Sequence, residues 1–271
     1  MSLETLYSEI DNLKSTLTGH RPLTQGEVER LSEEFLIGFT YNSNAIEGNT
    51  MTLDETALVL RDGITVGGKT IREHLEITGH RDAWYLVEEL VKQPTPLTEK
   101  MILDIHQLVL IDRKDDAGRY RRLPVYIRGV PVELPQPWQV PIEMERLLAD
   151  YHGEMQNLHP VKRAAVFHLK FETVHPFIDG NGRVGRLLMN LELMKDGFVP
   201  IDIKFTDRQR YIDCFKTWQN GDFDSSGMEL LTAEYTKARL EEYVHILDIA
   251  NGIRQIPDEQ NPDQDSTLTM Q

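Results

Sequence analysis

Residues 164–195 read AAVFHLKFETVHPFIDGNGRVGRLLMNLELMK, and what stands on either side of the glycines decides the fold. Segment 164–173 has the apolar period of a helix rather than the continuous or alternating pattern of a strand. Pro176 then disfavours helical backbone at His175, Gly180 and Gly182 free the turn, and helical spacing resumes from about residue 183 to 195. A helix that starts beside a glycine loop presents bare amide groups and the positive end of its dipole, which together form an anion site. Arg183 and Arg186, three apart on one helical face, add charge of a geometry suited to phosphate. Asp179 in the same turn is a candidate Mg²⁺ ligand, because Mg²⁺ prefers few carboxylates together with phosphate oxygens and water. His175, beside those phosphates, is a candidate general base.

Outward from this loop, helical periodicity governs most of the chain. The spacing predicts helices over 4–17, through Leu6, Ile10, Leu13 and Leu17, and over 24–40, through Val28, Leu31, Phe35 and Leu36. A third, 53–61, opens after Thr52 with Glu55 placed as in a capping box. Further helices are expected over 70–92, 98–111, 142–156, 161–173, 183–195, 206–219 and 228–251. Between 118 and 141 the texture changes: Pro124, Pro131, Pro135 and Pro137 break the chain, and Val125, Ile127, Val130 and Val132 flank Arg128-Gly129, as in one short exposed hairpin. The expected fold class is therefore all-α, a helical bundle with one β-hairpin flap. The polar residues 253–271 are expected to form a disordered tail.

A competing reading starts from Gly180, Gly182 and Gly185, which satisfy the dinucleotide fingerprint with Asp202 about twenty residues beyond. That fingerprint must follow a buried strand. Here it follows helical periodicity and a His-Pro interruption, with no alternating strands and helices elsewhere, which argues against an NAD-binding oxidoreductase.

Composition narrows the classes further. The chain has 271 residues, 40% hydrophobic and 27% charged, an ordinary globular balance. A net charge of −15 works against nucleic acid or an anionic membrane as a partner. No apolar stretch approaches the roughly 18 residues of a membrane span. The single Cys214, between Ile212 and Phe215, excludes an internal disulfide or a thiolate cage and reads as a buried small hydrophobe, with a reducing cytoplasmic compartment expected. His74, His80, His152 and His159 have no metal-ligand companions and read as surface or core residues.

Residues 175–186, His-Pro-Phe-x-Asp-Gly-Asn-Gly-Arg-x-x-Arg, resemble the signature of the Fic domain at every fixed position. The likeness extends from about 97 to 223, through Gly118-Arg-Tyr-Arg121, Ala164-Ala165 with His168, and 211–222. It divides the chain into an N-terminal helical region, 1–96, a core, 97–223, a C-terminal helix, 224–252, and the tail. The resemblance implies an all-α enzyme that moves AMP from ATP to a Ser, Thr or Tyr hydroxyl of a target protein. By that likeness His175 would deprotonate the hydroxyl and Asp179 would hold Mg²⁺. Gly180, Asn181 and Gly182 would bind phosphates together with Arg183 and Arg186, the latter reaching the γ-phosphate. Tyr211 would pack near adenine, and Gln219 stands where the family often has an Asn that touches the nucleotide. Val125, Tyr126 and Ile127 would belong to a flap that docks the target by strand addition.

Ser43-Asn-Ala-Ile-Glu47-Gly-Asn49 is similar to the family's inhibitory motif, with Ser43 and Glu47 at its fixed positions. The likeness implies a Glu47–Arg186 salt bridge that misplaces ATP, and in relatives the same Glu can orient a water that removes AMP. Read from the residues alone, Gly48-Asn49 is a common helix stop. Two other readings stay open beside the adenylyltransferase: an ATP-binding interaction module without transfer, its N-terminal helices mediating a homo-oligomer, and transfer from another nucleotide donor.

Overall fold

The computed structural model describes residues 2–19, 24–126, 133–220 and 223–250. Among these residues the regular structure is helical throughout: α1 Leu3–Gly19, α2 Gln25–Glu47, α3 Leu53–Ala57, α4 Ile71–Val91, α5 Glu99–Val109, α6 Val140–His152, α7 Pro160–Val174, α8 Asn181–Lys195, α9 Arg208–Asn220 and α10 Ser226–Ala250. Local chemistry sets the boundaries. Thr24, Thr52 and Thr70 each open a helix with a reciprocal capping box to Glu27, Glu55 and Glu73. Gly48 closes α2 in the left-handed conformation, φ 102°, which suits a residue without Cβ.

Two helices form the centre. α8 is buried on nearly every side and packs along α7. One apolar cluster joins them to α2, α4, α5 and α6 through Phe39, Trp84, Ile102, Met144, Phe171 and Leu187. A second joins them to α1, α9 and α10 through Leu6, Leu169, Met189, Tyr211, Leu231 and Leu240. The site loop between α7 and α8 is thereby clamped between two cores.

The expected all-α class holds. No strand occurs among the described residues; Val125 and Tyr126 lie in irregular backbone, and Ile127 with the rest of the expected hairpin, 127–132, lies outside the described residues, as does the expected tail, 253–271. Several boundaries also move, among them α3, which ends at Ala57, and α6, Val140–His152, and two of the shifts bear on the site. α2 runs to Glu47, beyond the predicted end at 40, so the motif at 43–49 is the last turn of this helix and its cap. α8 starts at Asn181, because Gly180 at φ 83° already turns the chain into it. Among the described residues no helix is long and apolar enough to cross a membrane.

Candidate active site

The loop between α7 and α8 is built by substitution of side chains for missing backbone partners. Helix α7 ends where Pro176 requires it, and His175 takes the left-handed C-cap position at φ 48°, its N–H still donating to the Phe171 carbonyl at 2.9 Å. Phe177 is buried and stacks on the His106 ring at 3.6 Å and 4°. Asn181 closes the turn from the other side: its Oδ1 accepts from the Phe177 N–H and its Nδ2 donates to the Phe177 carbonyl, both at 2.9 Å. His106 accepts from the Gly118 N–H at Nδ1 and donates from Nε2 to the Asp179 carbonyl at 3.1 Å. Burial pushes its imidazole down to about 4, so the neutral tautomer that this pair of bonds needs is the one present. Arg121 adds Nε to the His175 carbonyl at 2.8 Å and its own N–H to the Pro176 carbonyl at 2.9 Å.

What this scaffold leaves open is the start of α8. Gly180 supplies no capping side chain, so the first-turn amides of Asn181, Gly182 and Arg183 lack partners within the helix. A carboxylate fills the place of an anion there. Glu47, at the last turn of α2, lies so close to Gly182 that a Cβ on Gly182 would meet its Oε1, with Arg186 Nη1 3.1 Å away. Arg186 donates Nη2 to Glu47 Oε1 at 2.8 Å and to the Ser43 carbonyl at 2.7 Å, and Nε to Ser43 Oγ at 3.0 Å. Its Nη1 donates to the Tyr211 hydroxyl at 3.1 Å, and that hydroxyl reaches His168 Nε2 at 2.7 Å. Burial pushes His168 down to about 3, with Arg186 adding to the effect, so His168 is neutral and accepts the Tyr211 proton. Burial opposes the charge of Arg186, but Tyr211 and Glu47 outweigh it and raise its pKa. The ion pair is lopsided: the Arg186 side chain is 2% exposed and that of Glu47 41%. The carboxylate therefore faces solvent while its partner is fixed in the core, and the acid is the half that can leave.

Asp179 is held by three guanidinium groups. Arg72 Nη2 lies 2.7 Å and Arg113 Nη2 3.3 Å from Oδ2, and Arg183 Nη2 3.3 Å from Oδ1, while the Gly180 N–H donates to Oδ1 at 2.7 Å. Burial acts to raise this carboxyl's pKa, and the arginines outweigh it, so Asp179 titrates below the usual range. No cluster of three metal-ligating side chains occurs among the described residues. One ionised carboxylate fits Mg²⁺ only with phosphate oxygens and water completing the shell.

A cavity of about 380 Å³ opens beside Glu47, walled by Ile46, Glu47, His175, Gly182, Arg208 and Tyr211, with Glu172 and Phe215 beside them; Asp179 and its arginines lie off this wall. The structure brings His175, Gly182, Arg186, Tyr211 and Glu47 together, the Glu47–Arg186 pair being the one that the family resemblance implies. It does not bring Gln219 to this wall: Gln219 stands two turns further along α9, with its side-chain amide buried and unpartnered. Asn181 is near the site but its side chain is spent on Phe177. His106, Arg72, Arg113 and Arg208 carried no signal in the sequence, since each belongs to a helix or loop far from the signature. Arg208 donates to the Ile46 carbonyl at 2.8 Å and so holds α9 against the end of α2.

Residues 96–193 match the model of the Fic/DOC family. A protein adenylyltransferase Fic from Drosophila grimshawi is 40% identical over 199 residues, 72% of this chain and 40% of that protein. One from Nematostella vectensis is 35% identical over 228 residues, 81% of this chain and 51% of that protein. The chain thus spans about half the length of these relatives or less. Among solved structures, a fragment of Fic-1 from C. elegans superposes with a TM-score of 0.81 at 28% identity, covering 92% of this chain and 73% of that one. A Fic domain containing signaling protein from Bacteroides thetaiotaomicron superposes with 0.79 at 26% identity, covering 92% and 99%. The signature at 175–186 and the fold around it thus agree: this chain carries a domain of the Fic/DOC family.

Proposed function

We propose that the chain is a protein adenylyltransferase that moves AMP from ATP to a Ser, Thr or Tyr hydroxyl of a target protein and of itself, held in check by Glu47. The observation that carries this reading is the Glu47 carboxylate seated on Arg186 at the open start of α8, an internal anion where a phosphate would bind. The named relatives support the type of reaction.

In this reading the amides of Asn181, Gly182 and Arg183, with the Arg183 and Arg186 guanidiniums, orient the triphosphate once Glu47 withdraws, Arg186 taking the γ-phosphate. The apolar wall of Tyr211, Phe215 and Ile46 receives the base. His175 accepts the proton of the target hydroxyl as its oxygen bonds to the α-phosphorus and the bond to pyrophosphate breaks. Asp179 would hold Mg²⁺, which supplies charge neutralisation on the phosphates. Arg72 and Arg113, both partly exposed, would turn from Asp179 to let it do so. The segment around Val125, Tyr126 and Ile127 is the proposed docking flap, and 97–223 the catalytic core between the helical regions 1–96 and 224–252. Glu47, which faces solvent, would also hold a water for the reverse task of removing AMP from a modified protein.

The test is incorporation of α-labelled ATP, with Mg²⁺, by the parent protein, Glu47→Gly, and Glu47→Gly combined with His175→Ala. Labelling is expected to rise at least tenfold in the single variant and to vanish in the double one. ATP bound without label in all three would replace this reading with the interaction module.

A further inference from the structure

Glu172, one turn before His175 on α7, places Oε2 3.2 Å from His175 Nδ1. The two side chains are 9% and 18% exposed. Neither Glu172 Oε1 nor His175 Nδ1 has a hydrogen-bond partner among the described residues, and no Lys or Arg there forms an ion pair with Glu172. Removing a carboxylate from water without a cation or donors to satisfy it is unfavourable, so stability gives no reason for this residue. Space has nevertheless been made for it. A Cβ on Gly185 would stand 3.1 Å from Glu172 Oε1 and 2.5 Å from His168 Cε1, so a side chain at 185 would crowd Glu172 and overlap the His168 ring. Position 185 falls in a variable place of the signature, which gives it no role, yet it is the gap that admits Glu172 beside the histidine.

We infer that Glu172 is the positioning residue of His175, an inference that rests on the adenylyl-transfer reading above. A small rotation of the imidazole turns the 3.2 Å approach into a hydrogen bond from Nδ1–H to Oε2. That bond fixes the tautomer with Nε2 unprotonated. The target hydroxyl proton then moves to Nε2, Nδ1 keeps its own proton, and Glu172 remains ionised and stabilises the imidazolium. The new bond is between the target oxygen and the α-phosphorus, and the bond broken is the one to pyrophosphate. The other charged or titratable groups near the pair are Glu47 from α2 with Arg186 from α8 bonded to it, Arg208 and Tyr211 from α9, and His168 from α7, which shares the gap at Gly185 with Glu172. All of them are unchanged by a substitution at 172.

The experiment compares Glu47→Gly with Glu47→Gly carrying Glu172→Gln, following the His175 imidazole Cε1–H by NMR across pH, with His175→Ala to assign the signal. The neutral amide should lower the His175 pKa by about one unit, leave ATP affinity unchanged, and leave the melting temperature equal or higher. Self-labelling should fall about tenfold, with the acid limb of its pH profile moved to lower pH by the same amount. Glu172→Asp, a carboxylate one methylene shorter, should recover part of the pKa. An unmoved His175 titration would overturn the inference, and a lower melting temperature with unmoved titration would assign Glu172 to structure instead. A shifted titration in a protein that transfers no AMP would keep the Glu172–His175 pair and reject the adenylyl-transfer reading.

Discussion

Asn181 sits inside the signature, where its neighbours suggest phosphate binding, yet its amide is fully engaged with the Phe177 backbone. Removing it would leave a buried N–H and a buried carbonyl unpaired, at a cost of about 2–4 kcal/mol. Asn181→Ala is therefore expected to lower the melting temperature of the nucleotide-free protein by roughly 5–10 °C, measured by calorimetry. A residue that only touched phosphate would leave that temperature unchanged. At this scale the sequence makes the reactive groups legible, because His175, Asp179, Arg183 and Arg186 lie within twelve consecutive residues. It hides the groups that aim them. His106 acts through a carbonyl 73 residues away, and Arg121, quoted above only as part of a likeness, through one 54 residues away; nothing in a one-dimensional pattern marks a side chain as the partner of a distant backbone atom.

Helix α2 shows what elements add. Its last turn carries Ser43, both of whose oxygens accept from Arg186, and Glu47, and it ends at Gly48 in the left-handed region. A Cβ at Gly48 finds open space, so the effect of Gly48→Ala comes from the backbone alone, about 1 kcal/mol against the cap. That variant is expected to loosen the brake and to self-label at a rate between those of the parent and Glu47→Gly. A rate equal to the parent would mean that the cap does not position Glu47. The periodicity of α2 was readable to residue 40 and not beyond, because Thr40, Asn42, Ser43 and Asn44 are buried polar residues that break the apolar stripe. Asn42 explains one of them: its Nδ2 donates to Asp202 Oδ2 at 2.8 Å, tying α2 to the segment after α8. Asp202, the apparent ribose partner of a dinucleotide fingerprint, is thus a buried tether. The hairpin expectation rested on β-branched residues between prolines, most of which lie outside the described residues; of those described, Tyr126 is 88% exposed in irregular backbone.

Across the molecule, three histidines among the described residues, His80, His106 and His168, are buried in the interior. Burial holds His80 well below its ordinary value, with Arg186 and Arg183 adding to the effect, and holds His106 at about 4 and His168 at about 3. Each binds a proton in the unfolded chain below about pH 6.5 and resists it when folded, so stability must fall as pH drops from there toward 4. The slope is about 1.4 kcal/mol per pH unit for each histidine fully in that window. Asp179, held below its usual range, adds a loss in the same direction at lower pH. Urea titrations between pH 7 and 4.5 should show this decline, and a flat profile would mean that the buried histidines are charged in the fold. The same two-core packing that keeps these rings neutral keeps Arg186 desolvated while Glu47 faces solvent.

The central claim is transfer of the adenylyl group under control of Glu47, and doubly labelled ATP tests it most directly. Glu47→Gly incubated with Mg²⁺ and ATP labelled on both the α- and the γ-phosphorus should take α-label into protein, release γ-label as pyrophosphate, and do neither once His175→Ala is added. Incorporation of γ-label, or no protein label while ATP remains bound, would contradict the account.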